Sequence, residues 1–463
     1  MSTQQSPNLF DRTLFNLRSA WEQVNILKSD APKLHPDLPE TDIAPLRQQM
    51  NDCLEGKGGN VSARARAAKL GEAYLDLNDI GRLRFLTLLA QDFGVDNQRI
   101  NELAALILSP PNGESLAKLH QQMRNALRPA GLELLTQFNS LPSGVKFLVD
   151  MRSDLRRLAD KNDPCLRELD KSLKDLLRSW FDVGFLDLVR ISWSSPASIL
   201  EKLIDYEAVH AIRSWSDLKN RLQPDRRCFA FFHPRMPDEP VIFVQVALVK
   251  DLTDNIHELL DESAPLMNPY DANTAIFYSI TNAQNGLAGV GFGDFLIKRV
   301  VSDLKAELPN IKTFSTLSPI PGLLRWLKTL SETDILNAKE RQSLRQFKRF
   351  TTLQETLDKA DWHQDAELAE ALKKPLMRLT AQYLVQTKQR QRALDPVANF
   401  HLNNGARLER INWLADTSEK GLRESAGMMV NYLYKLDLIE ANHEAYRETA
   451  NTAASSTVLG LLK

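Results

Sequence analysis

The residue types able to do chemistry gather in the second half of the chain. The run TFSTLSPIPGLLRWL, residues 313–327, ends a strand-like stretch at Ser318 and follows it at once with Pro319, Ile320, Pro321 and Gly322. Ser-Pro initiates turns, and the same arrangement holds a hydroxyl on a rigid strand end. His401 lies in DPVANFHLNNG. With an ordinary pKa of about 6.5, an imidazole gives or takes a proton near neutrality. Gly286, Gly289, Gly291 and Gly293 fall between the strand-like TAIFYSI (274–280) and the helical DFLIKRVVSDLKAEL. Glycines let backbone N–H groups approach a phosphate, and the helix start beyond them adds partial positive charge. The order is G-x-x-G-x-G rather than the dinucleotide-binding G-x-G-x-x-G, and no Gly-Lys-Ser/Thr follows. A tight strand-to-helix turn would use the same glycines.

These residues need rigid carriers. CFAFFHPRMPDEPVIFVQVALV predicts two strands, 228–232 and 241–249, around a proline-containing turn. The buried strand 274–280, the glycine loop, a helix with Phe295, Leu296, Val300, Leu304 and Leu308 on one face, and the strand KTFSTLS then follow in order. Asp395 and Pro396 are placed as N-cap and first residue of a short helix carrying His401, and Gly405 as the left-handed residue that ends it. ARLERINWLAD and GMMVNYLY predict closing strands, and 330–394 a helical insertion.

The first part of the chain reads as helical. Phe10, Leu14, Leu17, Trp21 and Val24 recur on one face after Ser6-Pro7, and Leu166, Leu169, Leu173, Leu176 and Trp180 form another after Asp163-Pro164. The expected division is a helical domain over 1–190 and a second domain over 191–463. Such amphipathic faces suit packing or self-association.

Composition narrows the partners. Among 463 residues, 43% are hydrophobic and 25% charged, with a net charge of −1. Nothing here favours nucleic acid. Three cysteines without a CxxC, and eight scattered histidines without HExxH, give no disulfide framework and no metal motif. No run is apolar and long enough to span a bilayer. The opening MSTQQSPNLFDRTLFNL is not a secretory signal and the final VLGLLK is not a peroxisomal one. A cytoplasmic protein is the expectation.

The order strand, x-x-G-x-G loop, helix, strand resembles the acyl-CoA core of the GCN5-related N-acetyltransferases. The blocks FYSITNAQNGLAGVGFGDFLIKRVVSDLK, TFSTLSPIPGLLRWL, DPVANFHLNNGARLERINWLADTS and GMMVNYLY more closely resemble the malonyl-CoA decarboxylase family. RRCFAFFHPRMPDEPVIFVQVAL and, more loosely, the helical region extend that resemblance over most of the chain. It implies an α+β protein: a helical N-terminal domain, then an acetyltransferase-like mixed α/β catalytic domain. It implies conversion of malonyl-CoA to acetyl-CoA and CO2 with no metal and no organic cofactor, in a homo-oligomer, a dimer or tetramer. By the same resemblance Ser318 and His401 are the catalytic pair: Ser318 a hydrogen-bonding proton acceptor at the malonyl group, His401 the proton donor to the enolate. Ala288, Gly289, Val290, Gly291, Phe292, Gly293 and Asp294 form the CoA loop. Its AGVGFGD differs from relatives at some side chains. Tyr432 and Tyr434 read as packing. An acyl-CoA-dependent acyltransferase and a non-catalytic CoA-sensing scaffold are the competing readings, and CO2 release without an acceptor separates them.

Overall fold

The computed structural model describes residues 17, 19–21, 34–55, 59–111, 113–291, 296–359 and 361–463. Of the expected first helix, Leu17 and Trp21 are seen and buried, whereas Phe10, Leu14 and Val24 lie outside the described residues. So do Phe292, Gly293 and Asp294 of the glycine loop, and Phe295.

The chain divides into two compact units. The first holds the described residues up to Leu186, together with Phe232–Pro240 and Gln284–Gly291. Its long helices include Glu40–Leu54, Asp79–Asp92, Gly144–Leu158 and Pro164–Trp180. Their apolar faces close on a core containing Trp21, Phe85, Phe138, Phe147 and Met151. Asp163 caps the last of these helices, accepting from the amides of Cys165 and Leu166, with Pro164 in its first turn. Its buried stripe runs through Leu166, Leu169, Leu173 and Leu177, while Leu176 is only half-buried. The expected stripe is thus one residue off at its fourth position, while Trp180 at its end is half-buried and packs on the core, because a helix advances between three and four residues per turn.

The second unit holds Asp187–Phe231, Val241–Ala283 and Phe292–Lys463. Its strands are β1 (Asp187–Ile191), β2 (Arg226–His233), β3 (Met236–Val249), β4 (Thr274–Asn282), β5 (Thr313–Thr316), β6 (Ser318–Pro319), β7 (Lys388–Gln389), β8 (Arg392–Ala393), β9 (Arg407–Asn412) and β10 (Met429–Leu433), the ends of β2 and β3 near their turn grouping with the first unit. β7 and β8 form a two-stranded ribbon; the rest make one sheet ordered β1-β2-β3-β4-β5-β10-β6, with β9 also on β10. β4 and β5 are parallel, and the helix Leu296–Glu307 makes the crossover between them, burying Leu296, Ile297, Val300, Val301 and Leu304. The expected strands are all present. The run 313–319 is split, however, into β5 and β6 on either side of Leu317. The 330–394 segment is mainly helical, its longest helix being Ala366–Ala381, which continues as a π-helical turn over Gln382–Gln386; unlike the expectation, it ends in the β7–β8 ribbon.

Candidate active site

Two interruptions of the sheet shape the site. β5 pairs with β4 from Thr274↔Thr313 to Phe277↔Thr316, and the amide of Leu317 adds one bond to the Phe277 carbonyl. From Ser318 onward the chain pairs with β10, Val430 facing Ser318. β4 continues to Asn282 along β3 alone, after a register shift between Gln245 and Val246. The two parallel strands therefore part, and beyond Phe277 β4 pairs with no strand on that side among the described residues. One face of the strand is held by a buried carboxylate. Buried Glu207 accepts from Ser279 Oγ (2.8 Å), Thr281 Oγ1 (3.2 Å) and Gln245 Nε2 (2.6 Å), and Gln245 Oε1 accepts from Tyr278 (2.9 Å).

Ser318 stands where the strands part. Its hydroxyl donates to Thr316 Oγ1 (2.8 Å), and Thr316 Oγ1 also accepts from the Tyr432 amide (3.1 Å). Asn431 Nδ2 donates to the Thr316 carbonyl (2.7 Å). His401 comes from the helix Pro396–Asn403. Asp395 caps that helix through the amides of Val397 (3.0 Å) and Ala398 (2.9 Å), Pro396 occupies its first turn, and Gly405 follows it with φ +75°. A β-carbon at Gly405 would lie 2.1 Å from the Ile439 carbonyl oxygen.

The sheet and this helix bring the pair together: His401 Nε2 lies 3.2 Å from Ser318 Oγ. The other nitrogen, Nδ1, lies 2.7 Å from the Tyr434 hydroxyl. The imidazole stacks on the Tyr432 ring, with centroids 4.6 Å apart and planes 23° from parallel. Since Ser318 gives its proton to Thr316, its oxygen receives Nε2–H, and Nδ1 accepts from Tyr434. His401 is 3% exposed, and burial pushes its pKa down to about 3. The imidazole is thus neutral, not the ordinary histidine that the sequence suggests. The Tyr432 hydroxyl is buried with no hydrogen-bond partner among the described residues.

Asp395 ties both arms of the site. Besides capping the His401 helix, its carboxylate receives the Gly322 amide, four residues after Ser318, and faces the Tyr383 hydroxyl at 3.4 Å. Tyr383 projects from the π-helical turn, and a β-carbon at Gly322 would sit 2.1 Å from its oxygen. Burial holds the Asp395 carboxyl above its ordinary range, against the lowering effect of these donors.

The described part of the glycine loop belongs to the first unit. Gly289 has φ +76°, the left-handed region that glycine adopts freely. Gly286 packs against the helix Gly144–Leu158, where a β-carbon would meet the Val149 carbonyl at 1.8 Å. Fully buried Arg152 reaches from that helix to the carbonyls of Gly286 (2.6 Å) and Ala288 (3.0 Å), and is itself held by Asp170 at 2.9 Å. The amides of Ala288 and Val290 bond within the loop, to Asn285 and Leu287 carbonyls. Those of Gly289 and Gly291 have no backbone acceptor among the described residues. The Lys174 arm lies 3.7 Å from the position of a Gly289 β-carbon. Among the described residues no cluster of three or more His, Cys, Asp or Glu side chains is placed to hold a metal, and no helix is long and apolar enough to cross a membrane.

Sequence reasoning singled out Ser318 and His401 and left Tyr434, Thr316, Asn431 and Arg152 aside. Tyr434 carried a faint signal, since alternation places it on the same strand face as Tyr432. Arg152 carried none, being 134 positions from its loop partner Gly286.

A helical unit followed by a mixed sheet whose central parallel strands part beside a crossover helix defines an α+β protein with an acetyltransferase-like second half. The pattern described as the malonyl-CoA decarboxylase C-terminal domain matches residues 184–463, and that of the N-terminal domain matches 93–181. The mitochondrial malonyl-CoA decarboxylase of Anser anser anser is 42% identical over 421 residues, covering 86% of this chain and 84% of the relative. That of Rattus norvegicus is 38% identical, covering 92% and 87%. The crystal structure of malonyl-CoA decarboxylase from Rhodopseudomonas palustris superposes with a TM-score of 0.82 at 44% identity, over 90% of this chain and 98% of that one. The Agrobacterium vitis structure gives 0.81 at 39% identity, over 90% and 99%. The chain belongs to the malonyl-CoA decarboxylase family.

Proposed function

We propose that this chain is a carboxy-lyase that converts malonyl-CoA to acetyl-CoA and CO2, with Ser318 and His401 as its catalytic pair and no metal or organic cofactor. The observation that carries this reading is the 3.2 Å contact between Ser318 Oγ and His401 Nε2 at the parting of β5 from β4, in a chain of this family. The thioester is its own electron sink: loss of CO2 leaves an enolate whose oxygen needs fixed donors. The edge of β4 beyond Phe277 supplies peptide groups for the pantetheine arm and that oxygen. Ser318, receiving Nε2–H, holds the imidazole in the tautomer that presents a proton to the α-carbon.

In the first unit, the amides of Gly289 and Gly291, with Lys174 beside them, suit the CoA phosphates. Phe292, Gly293 and Asp294 continue that loop in sequence. The helical unit is read as the seat of homo-oligomerisation, in a dimer or tetramer. Three free cysteines fit a cytoplasmic enzyme. The goose and rat relatives carry mitochondrial names, so fractionation of cells expressing the full gene decides the compartment.

The test is direct. Purified protein with malonyl-CoA alone should release CO2 and acetyl-CoA in equal amounts. Acyl consumption that requires an added amine and gives no CO2 would replace this reading with acyl transfer. Binding of CoA without turnover would replace it with a sensing role.

A further inference from the structure

Each turnover consumes a proton: a malonyl carboxylate leaves as neutral CO2, and the α-carbon gains a hydrogen. His401 is buried, and its two nitrogens face Ser318 and Tyr434. A neutral imidazole that gave up Nε2–H with nothing arriving at Nδ1 would become an anion, which a buried site strongly disfavours. The proton for Nδ1 has one visible source, the Tyr434 hydroxyl at 2.7 Å.

Tyr434 also lines a pocket of about 320 Å³ within the second unit. Buried Ile297, Val301 and Asn404 line it with Tyr434, and exposed Lys298 and Lys305 stand on its crossover-helix wall. Asn404 is 4% exposed, and its Oδ1 is buried with no hydrogen-bond partner among the described residues. Its Nδ2 holds the Phe400 carbonyl (2.8 Å), which fixes the amide at the end of the His401 helix. A buried carbonyl oxygen left without a donor, on a residue that lines the pocket, calls for ordered water.

We propose that this pocket is a proton reservoir for His401, worked through the Tyr434 hydroxyl while substrate seals the other side of the imidazole. The inference rests on His401 being the proton donor. The C–C bonding pair stays on the thioester as the enolate when CO2 departs. Nε2–H then passes its proton to the α-carbon, Tyr434 O–H passes its proton to Nδ1, and a pocket water passes one to the phenol oxygen. The hydroxide that remains is held beside Lys298 and Lys305. Once acetyl-CoA leaves, a hydronium ion from solvent gives a proton to Nε2, and the relay runs backward through Tyr434. The pocket hydroxide is neutralised, and the Nε2–H tautomer is restored. The net uptake is one proton from solvent. In this relay Tyr434 is a positioning and proton-passing residue that acts through His401.

Single-turnover formation of acetyl-CoA in mixtures of H2O and D2O tests this. The native enzyme should give a curved proton inventory, since more than one proton moves in the step. Tyr434→Phe should lower the single-turnover rate on the order of 10²-fold, leave CoA affinity unchanged by calorimetry, and straighten the inventory. Ser302→Trp, on the exposed crossover-helix face at the pocket wall, should displace pocket water and slow the step with Tyr434 intact. A straight inventory for the native enzyme, or a Tyr434→Phe enzyme that keeps the curvature, would overturn the relay. A Ser302→Trp enzyme of native rate would overturn the reservoir. Failure of the donor reading itself looks different: His401→Asn would retain turnover whatever stands at position 434.

Discussion

At the scale of single residues, the site is a chain of hydrogen bonds running from Thr316 through Ser318 and His401 to Tyr434. Ser318→Ala and His401→Asn should each lower kcat by about 10²–10⁴-fold. The double variant should be little worse than the poorer single, because members of one unit are not additive. Near-native steady-state turnover in either single variant would remove that residue from the mechanism. Burial of His401 also has a thermodynamic signature. Its folded pKa of about 3 lies below the unfolded value of about 6.5, so the unfolded chain binds more protons between those limits. The stability this provides is complete above about pH 6.5 and is lost as pH falls toward 3, amounting to about 2 kcal/mol between pH 7 and 5. Urea midpoints at the two pH values should therefore differ more for the native protein than for His401→Asn. Equal differences would mean that the imidazole is not desolvated.

At the scale of elements, Asp395 does two jobs with one carboxylate, capping the His401 helix and holding the Gly322 amide of the Ser318 turn. Asp395→Asn keeps a capping oxygen and should be mild. Asp395→Ala should cost about 1–2 kcal/mol of stability and lower kcat more than it changes KM, as steady-state kinetics and urea melts on both variants would show. In the glycine loop, a valine at Gly289 must take a left-handed φ and crowd the loop amides. Gly289→Val and Arg152→Ala should both weaken CoA binding by calorimetry with helical content retained by circular dichroism, and unchanged affinity in either would detach the loop from the phosphates. These elements differ in how visible they were in sequence. Asp395, Pro396 and Gly405 are local signals, and all three stand in the roles their types suggest. Ser318 was marked by its prolines. The split at Leu317, the register shift beside Gln245 and the π-helical turn at Tyr383 leave no local signature, because each is imposed by a partner strand or by packing. The depressed pKa of His401 was hidden for the same reason: nothing in NFHL reports the rings that cover it.

At the scale of the whole molecule, the helical unit still presents apolar surface. Leu108 (84% exposed), Leu116 and Leu127 lie at the ends of the helices Asn97–Leu108 and Leu116–Ala126, each of which buries only one residue, Leu103 and Leu119. If this unit carries self-association, Leu108→Asp with Leu127→Asp should lower the assembled mass in light scattering while the chain stays folded. An unchanged mass would place the interface elsewhere.

The order of the sheet carries one more consequence. β10 lies between β5 and β6, yet it is made more than a hundred residues after them. On the ribosome, β5 must wait with one edge bare, and Ser318 has neither its strand partner nor the tyrosines that cover His401. A chain halted before residue 429 would be an aggregation hazard rather than a slow enzyme. Slower synthesis through 320–430 should therefore lower the yield of folded protein, as expression with slowed codons there would show.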